Sequence, residues 1–177
     1  MQDALSSNDH SQPDAPCAVR KINMADLYPV ITDVLGNGGT FSLTVTGSSM
    51  FPFLAGGRDQ VTLSAIPSKL RKNDLPLYRR ASGQFVLHRV VKVCRDGTYT
   101  CCGDHQWCLE KGLLQGQMIG VATEYVRKNR HFSNRNILYR IYRAVWTWLI
   151  PVRPYLFLLQ NKLFHRGKKR DKKQDRK

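Results

Sequence analysis

A chain of 177 residues, 42% of them hydrophobic, is long enough for one domain with a buried core plus terminal extensions, and cramped for two full domains. The formal net charge of +15 is unevenly placed: residues 1–126 carry 12 Lys and Arg against 11 Asp and Glu, whereas residues 127–177 carry 16 against 2. The body is therefore nearly neutral, which excludes polyanion binding as its leading function; the C-terminal end holds the charge.

Five cysteines (Cys17, Cys94, Cys101, Cys102, Cys108) make an odd set without framework spacing, so a reducing compartment is expected. The first twenty residues are polar and acidic and do not read as a secretory signal. No stretch reaches the ~18 uninterrupted apolar residues of a membrane-spanning helix. The expectation is a cytoplasmic chain, with peripheral attachment at the inner face of the membrane.

In chain order, residues 1–22 have little to bury and are expected to be a disordered lead-in. "NMADLYPVITDVLGNGG" places Leu27, Val30, Ile31, Val34 and Leu35 at helical spacing, ending at Gly36. "TFSLTVTG" then alternates, with Phe41, Leu43 and Val45 on one face, which predicts a half-buried strand. "DQVTLSAI" and "LPLYRR" are shorter strand candidates, and "QFVLHRVVKV" is the strongest in the chain. Asp96-Gly97 followed by "TYTCC" predicts a hairpin, and "GQMIGVATEYV" one more strand. The expected core is mainly β, spanning 23–130.

Residues 131–164 are expected to be an amphipathic helical segment, and 165–177 a basic disordered tail. On a helical wheel of "NILYRIYRAVWTWLI", Ile137, Leu138, Ile141, Val145, Trp148 and Leu149 lie opposite Asn136, Arg140, Arg143 and Thr147. Beyond Pro151 and Pro154, "YLFLLQNKLF" suggests a second helix. An amphipathic helix bearing Trp146 and Trp148 before a polybasic end suits an anionic membrane surface; the apolar stripe could alternatively dock on the β core. Nucleic acid is a weaker partner, because no binding module accompanies the charge.

Two residue types stand out chemically. The stretch "VTGSSMFPF" sets Ser48 and Ser49 at the end of an alternating strand, and "FVLHRVV" puts an ionisable ring, His88, inside an apolar one. Each alone has an ordinary structural explanation, a turn and a satisfied core histidine. Together they offer a nucleophile and a base, since a serine hydroxyl must lose its proton as it attacks. Cys101, Cys102, His105 and Cys108 form a competing cluster of soft ligands, but adjacent cysteines in a strand point to opposite faces, so no metal is expected.

In order along the chain, "TGSSMFPFLAGGRDQVTL", "KLRKNDLPLYRR", "FVLHRVVKV", "CCGDHQWCLE" and "GQMIGVA" resemble the boxes of the superfamily that joins signal peptidase I to the self-cleaving LexA-type repressors. The resemblance covers roughly residues 24–126. It implies a mainly β fold of the signal-peptidase/LexA C-terminal type, here with an N-terminal helix and C-terminal amphipathic helices. It also implies a serine endopeptidase without cofactor, acting on a peptide or protein substrate. Its nucleophile is the serine before a methionine, Ser49 before Met50; its base is His88, as in the endoplasmic-reticulum and archaeal type. An acid follows the Gly-Asp box in that type, and both Asp104 and Glu110 are candidates. Gly47 stands where many signal peptidases have an oxyanion-binding serine, so the amides of Ser48 and Ser49 are the expected oxyanion donors.

The sequence departs from that family at Asn73-Asp74, where Gly-Asp is usual, at Pro76 in the next strand, and in lacking the N-terminal transmembrane anchor. A dedicated peptide or leader substrate fits the missing anchor. A LexA-like self-cleaving protein is the alternative enzyme, with no helix-turn-helix before the core to support it; a non-catalytic peptide-binding or membrane-tethered adaptor is the alternative outside enzymes.

Overall fold

The computed structural model of the chain describes residues 23–155 together with 157 and 158. The lead-in, the basic tail and most of the suggested second helix lie outside the described residues.

Helix α1 (Met24–Gly36) begins where the Asn23 side chain accepts a hydrogen bond from the Ala25 amide and ends at an Asn37 cap. Ile31 and Leu35 are buried by it, whereas Val30, expected on the same face, is half exposed. The alternating segment forms β1 (Phe41–Thr44), which pairs antiparallel with β2 (Gln60–Ser64). Two further strands, β3 (Pro76–Arg79) and β4 (Phe85–Leu87), make an antiparallel pair. Pro76 opens β3, a position that tolerates the missing amide.

The segment expected as one strand is two. After β4 the chain breaks at His88 and resumes as β5 (Arg89–Val93), which pairs not with β3 but with β6 (Tyr99–Cys102) of a second sheet. Asp96-Gly97 closes that hairpin: Gly97 takes φ +85°, and the Asp96 carboxylate accepts from the Thr98 amide and hydroxyl. Three more strands complete the β structure: β7 (Glu110–Leu113), β8 (Met118–Arg127) and β9 (Arg130–Ser133). The sequence reading missed β7 and β9, each four residues long and poor in apolar residues. The domain boundary expected at residue 130 falls inside β9, which pairs with β8.

The architecture is mainly β, with an N-terminal helix and a short C-terminal one. The larger sheet runs β1-β2-β8-β3-β4, with β9 also on β8; the smaller runs β5-β6-β7. One core lies under α1 and the larger sheet (Ile31, Leu35, Met50, Phe53, Leu54, Val61, Leu63, Leu77). A second lies between the sheets (Leu70, Tyr78, Val90, Tyr99, Cys101). Each fully buried Leu, Ile or Val contributes about 1.5–3 kcal/mol.

Helix α2 (Ile137–Trp148) follows an Asn136 cap and packs on the body by a face the wheel did not single out. Tyr139 stacks on Phe53 with ring centroids 4.6 Å apart, and Tyr142 on the same ring at 5.4 Å. Trp146, expected to face a membrane, instead donates its indole N–H to the Asp104 carbonyl at 2.9 Å. Thr147, expected on the solvent side, is buried and donates to the Asn73 side chain. The aliphatic stripe does not dock on the core. The reason is beneath the helix: Arg89 and Asp104 form a fully buried ion pair there. Aromatic rings with polar tips can cover it and bond to it, which Ile and Leu cannot.

Candidate active site

The Ser49 loop is shaped by glycines and by Asp59. Gly47 takes φ +75° after β1, a conformation that strains any L side chain. Gly56 presses on it: a Cβ there would lie 2.2 Å from the Gly47 carbonyl oxygen. Val45 bonds on both sides, donating to the Asp59 carbonyl at 2.9 Å and accepting from the Gly57 amide at 2.8 Å. Met50, Phe53 and Leu54 anchor the loop in the core, while Phe51 points out and Ser49 is half-buried at a cleft wall. Among the described residues, neither the Ser48 nor the Ser49 amide donates to a protein acceptor.

His88 lines the same cleft, a hollow of about 490 Å³ between β1, the Ser49 loop, β4 and the loop at His105 and Gln106. The break between β4 and β5 turns its ring out of both ladders. Its Nδ1 lies 2.9 Å from Glu110 Oε1 and 3.3 Å from the Tyr78 hydroxyl. Arg80 clamps the Glu110 carboxylate through both oxygens, with Nε to Oε2 at 2.7 Å and the second bond from Nη2 to Oε1.

That arrangement assigns the histidine's protons. Burial holds the His88 pKa below its usual value, partly offset by the charge and hydrogen bond of Glu110. Burial also works to raise the Glu110 carboxyl, but the Arg80 hydrogen bonds and the nearby histidine outweigh it, so Glu110 lies below the usual range and is ionised near neutrality. An ionised carboxylate can only accept, so Nδ1 carries the proton and Nε2 is left as the lone-pair nitrogen. Gly103 identifies what Nε2 faces: a Cβ there would lie 3.0 Å from His88 Nε2 and 2.7 Å from the Ser49 carbonyl oxygen. No hydrogen bond joins Ser49 Oγ to His88.

Asp104 does not reach His88. It is fully buried and engaged by Arg89 through two bonds, Nε to Oδ1 at 2.9 Å and Nη2 to Oδ2 at 2.7 Å, with the Tyr142 hydroxyl at 3.3 Å from Oδ2. Of the two candidate carboxylates, Glu110 bonds to the His88 ring, whereas Asp104, in the turn after β6, bonds to Arg89, the residue after His88. Asn73 stands in the left-handed region at φ +75°, which glycine or asparagine accepts most readily, so its departure from Gly-Asp leaves the turn intact.

Arg80, Tyr78 and Gly103 were not singled out from the sequence. Gly103 lay within a quoted box, and Arg80 follows β3 as one of two adjacent arginines, with nothing local to show which meets an acid 30 positions on. Cys101 and Cys102 are buried on opposite faces of β6; burial pushes their thiols up to about 12 and about 11. Among the described residues, no three His, Cys, Asp or Glu side chains come together as a metal site. Another hollow, about 610 Å³ between α1 and the start of β8, contains no serine or histidine. Comparison with protein-family models, with curated proteins and with solved structures returns no match for this chain.

Proposed function

We propose that the chain is a serine endopeptidase of signal-peptidase type, working through Ser49, His88 and Glu110. The observation that carries the reading is the Glu110–His88 Nδ1 bond in a cleft that Ser49 also lines, because it leaves Nε2, which faces Gly103 beside the Ser49 carbonyl, as the basic nitrogen. Ser49 Oγ attacks the scissile carbonyl and His88 Nε2 takes its proton, then gives it to the leaving amine as the C–N bond breaks. The unpaired amides of Ser48 and Ser49 stabilise the oxyanion. Water then attacks the acyl-enzyme, His88 accepts its proton, and Ser49 is regenerated.

The substrate reading follows from the sheet. β1 and β4 are edge strands of the larger sheet, and both contribute to the cleft, through Leu43 and Thr44 on one side and Phe85 and Leu87 on the other. An extended peptide added to either edge has its backbone paired and its alternate side chains in an apolar trough.

Incubation with a peptide library tests this, comparing wild type with Ser49→Ala and His88→Ala; cleavage by wild type alone supports it. The absence of a Ser49–His88 hydrogen bond favours the adaptor reading. Peptide binding without turnover by wild type would establish that reading instead, and a chain cut only in itself would establish the self-cleaving one.

A further inference from the structure

We propose that α2 is a membrane-surface helix, whose outward face enters the headgroup boundary of an anionic bilayer. The proposal does not depend on the peptidase reading.

The helix is apolar on two sides, and among the described residues only one is covered. Tyr139, Tyr142 and Trp146 pack on the body. Ile137, Leu138, Ile141, Val145 and Trp148, on the other side, are 62%, 73%, 55%, 50% and 76% exposed. Five large apolar side chains in contiguous helical positions form the kind of patch that marks an interaction surface.

Charge selects the occupant. Arg135 and Arg140 are exposed beside the patch, and residues 127–177 carry 16 Lys and Arg against 2 Asp and Glu. A second copy of this chain seated on the patch would bring two strongly basic segments together. An anionic lipid surface accepts both the apolar face and the surrounding cations. Twelve residues rise only about 18 Å, too short to cross a bilayer, so the helix lies in the surface plane. Trp148 at one end of the stripe has the amphipathic ring that favours that interface.

The covered side ties the helix to the cleft. Arg153, just past α2, donates to the Gly103 and Gln106 carbonyls at 2.8 and 2.9 Å, and Phe157 packs on His105 and Trp107. The loop that faces His88 and Ser49 is thus braced by the residues that directly follow the helix proposed to rest on lipid.

Vesicle flotation of the full chain tests the proposal, with phosphatidylcholine vesicles and with vesicles that also contain phosphatidylglycerol. Wild type is expected to float with the anionic vesicles, and the charge-neutral double variant Ile141→Ser, Trp148→Ser to lose at least about ten-fold in partitioning. Both positions are exposed, and an unchanged thermal melt confirms that the variant folds. The variant keeps the whole basic end, so equal flotation would assign binding to charge alone and overturn the proposal. Failure of wild type to float would also overturn it, as would a wild-type dimer that the double variant abolishes without any lipid binding.

Discussion

Glu110 Oε1 lies 2.9 Å from His88 Nδ1, and the same carboxylate is clamped by Arg80 through both oxygens. The arginine fixes the acid, the acid fixes the imidazole, and the remaining ring nitrogen faces Gly103 beside the Ser49 carbonyl. Replacing Glu110 by Gln keeps the shape but offers an N–H to Nδ1, which drives the ring proton onto Nε2 and removes the base. Labelling of Ser49 by a fluorophosphonate is expected to slow by about 10²–10⁴-fold in Glu110→Gln. A rate within two-fold of wild type would take Glu110 out of the mechanism.

The pH profile has a defined direction. With the His88 pKa held below its ordinary ~6.5, the ring is already neutral at pH 7, so fluorophosphonate labelling of Ser49 is expected to stay level above that value and to fall on the acid side. Removing the Glu110 charge takes away what offsets burial, so the His88 titration limb in Glu110→Gln, followed by NMR of the ring, moves to lower pH. A limb moved upward contradicts the arrangement. Stability follows the same sign: the unfolded chain binds the proton more readily, so this group's contribution is complete above ~6.5 and is lost as pH falls towards its folded value.

Asp104 separates structure from catalysis. Its carboxylate and Arg89 are both fully buried, and Arg89 also donates to the Tyr139 hydroxyl at 2.9 Å, so the pair sits between the cleft loop and α2. Asp104→Asn leaves the guanidinium without its counter-charge and is expected to destabilise the fold by about 3–5 kcal/mol, read from urea denaturation. A stable Asp104→Asn protein without labelling activity would return this residue to the site.

Gly103 is a steric claim. Alanine there places its Cβ 2.7 Å from the Ser49 carbonyl oxygen and 3.0 Å from His88 Nε2, so one of the two must move. Displacing either by a fraction of an ångström is expected to cost about 10–100-fold in labelling rate, with a smaller effect on the melting temperature. Unchanged labelling would place the nucleophile and base elsewhere.

Much of the fold was legible because apolar alternation survives in β1 and β2, because β3 and β8 carry apolar runs, and because Asp-Gly marks its hairpin. The split at His88 was not: "QFVLHRVVKV" reads as one buried strand, and only the pairing of its halves with different sheets reveals the break. The same limit applies to the acids. Asp104 and Glu110 are six positions apart, and their assignment depends on Arg89 and Arg80, each of which claims one of them across the fold. For α2, hydrophobicity named the exposed face rather than the docked one, because the surface beneath it is a buried ion pair and requires polar-tipped rings.

The central claim concerns one hydroxyl. Wild type, Ser49→Ala and Ser48→Ala would be treated with a fluorophosphonate at neutral pH, with lipid present, and the modified peptide located by mass spectrometry. A single adduct is expected on Ser49 in wild type and in Ser48→Ala, and none in Ser49→Ala. An adduct that persists in Ser49→Ala, or a wild-type chain that never reacts, would contradict the claim.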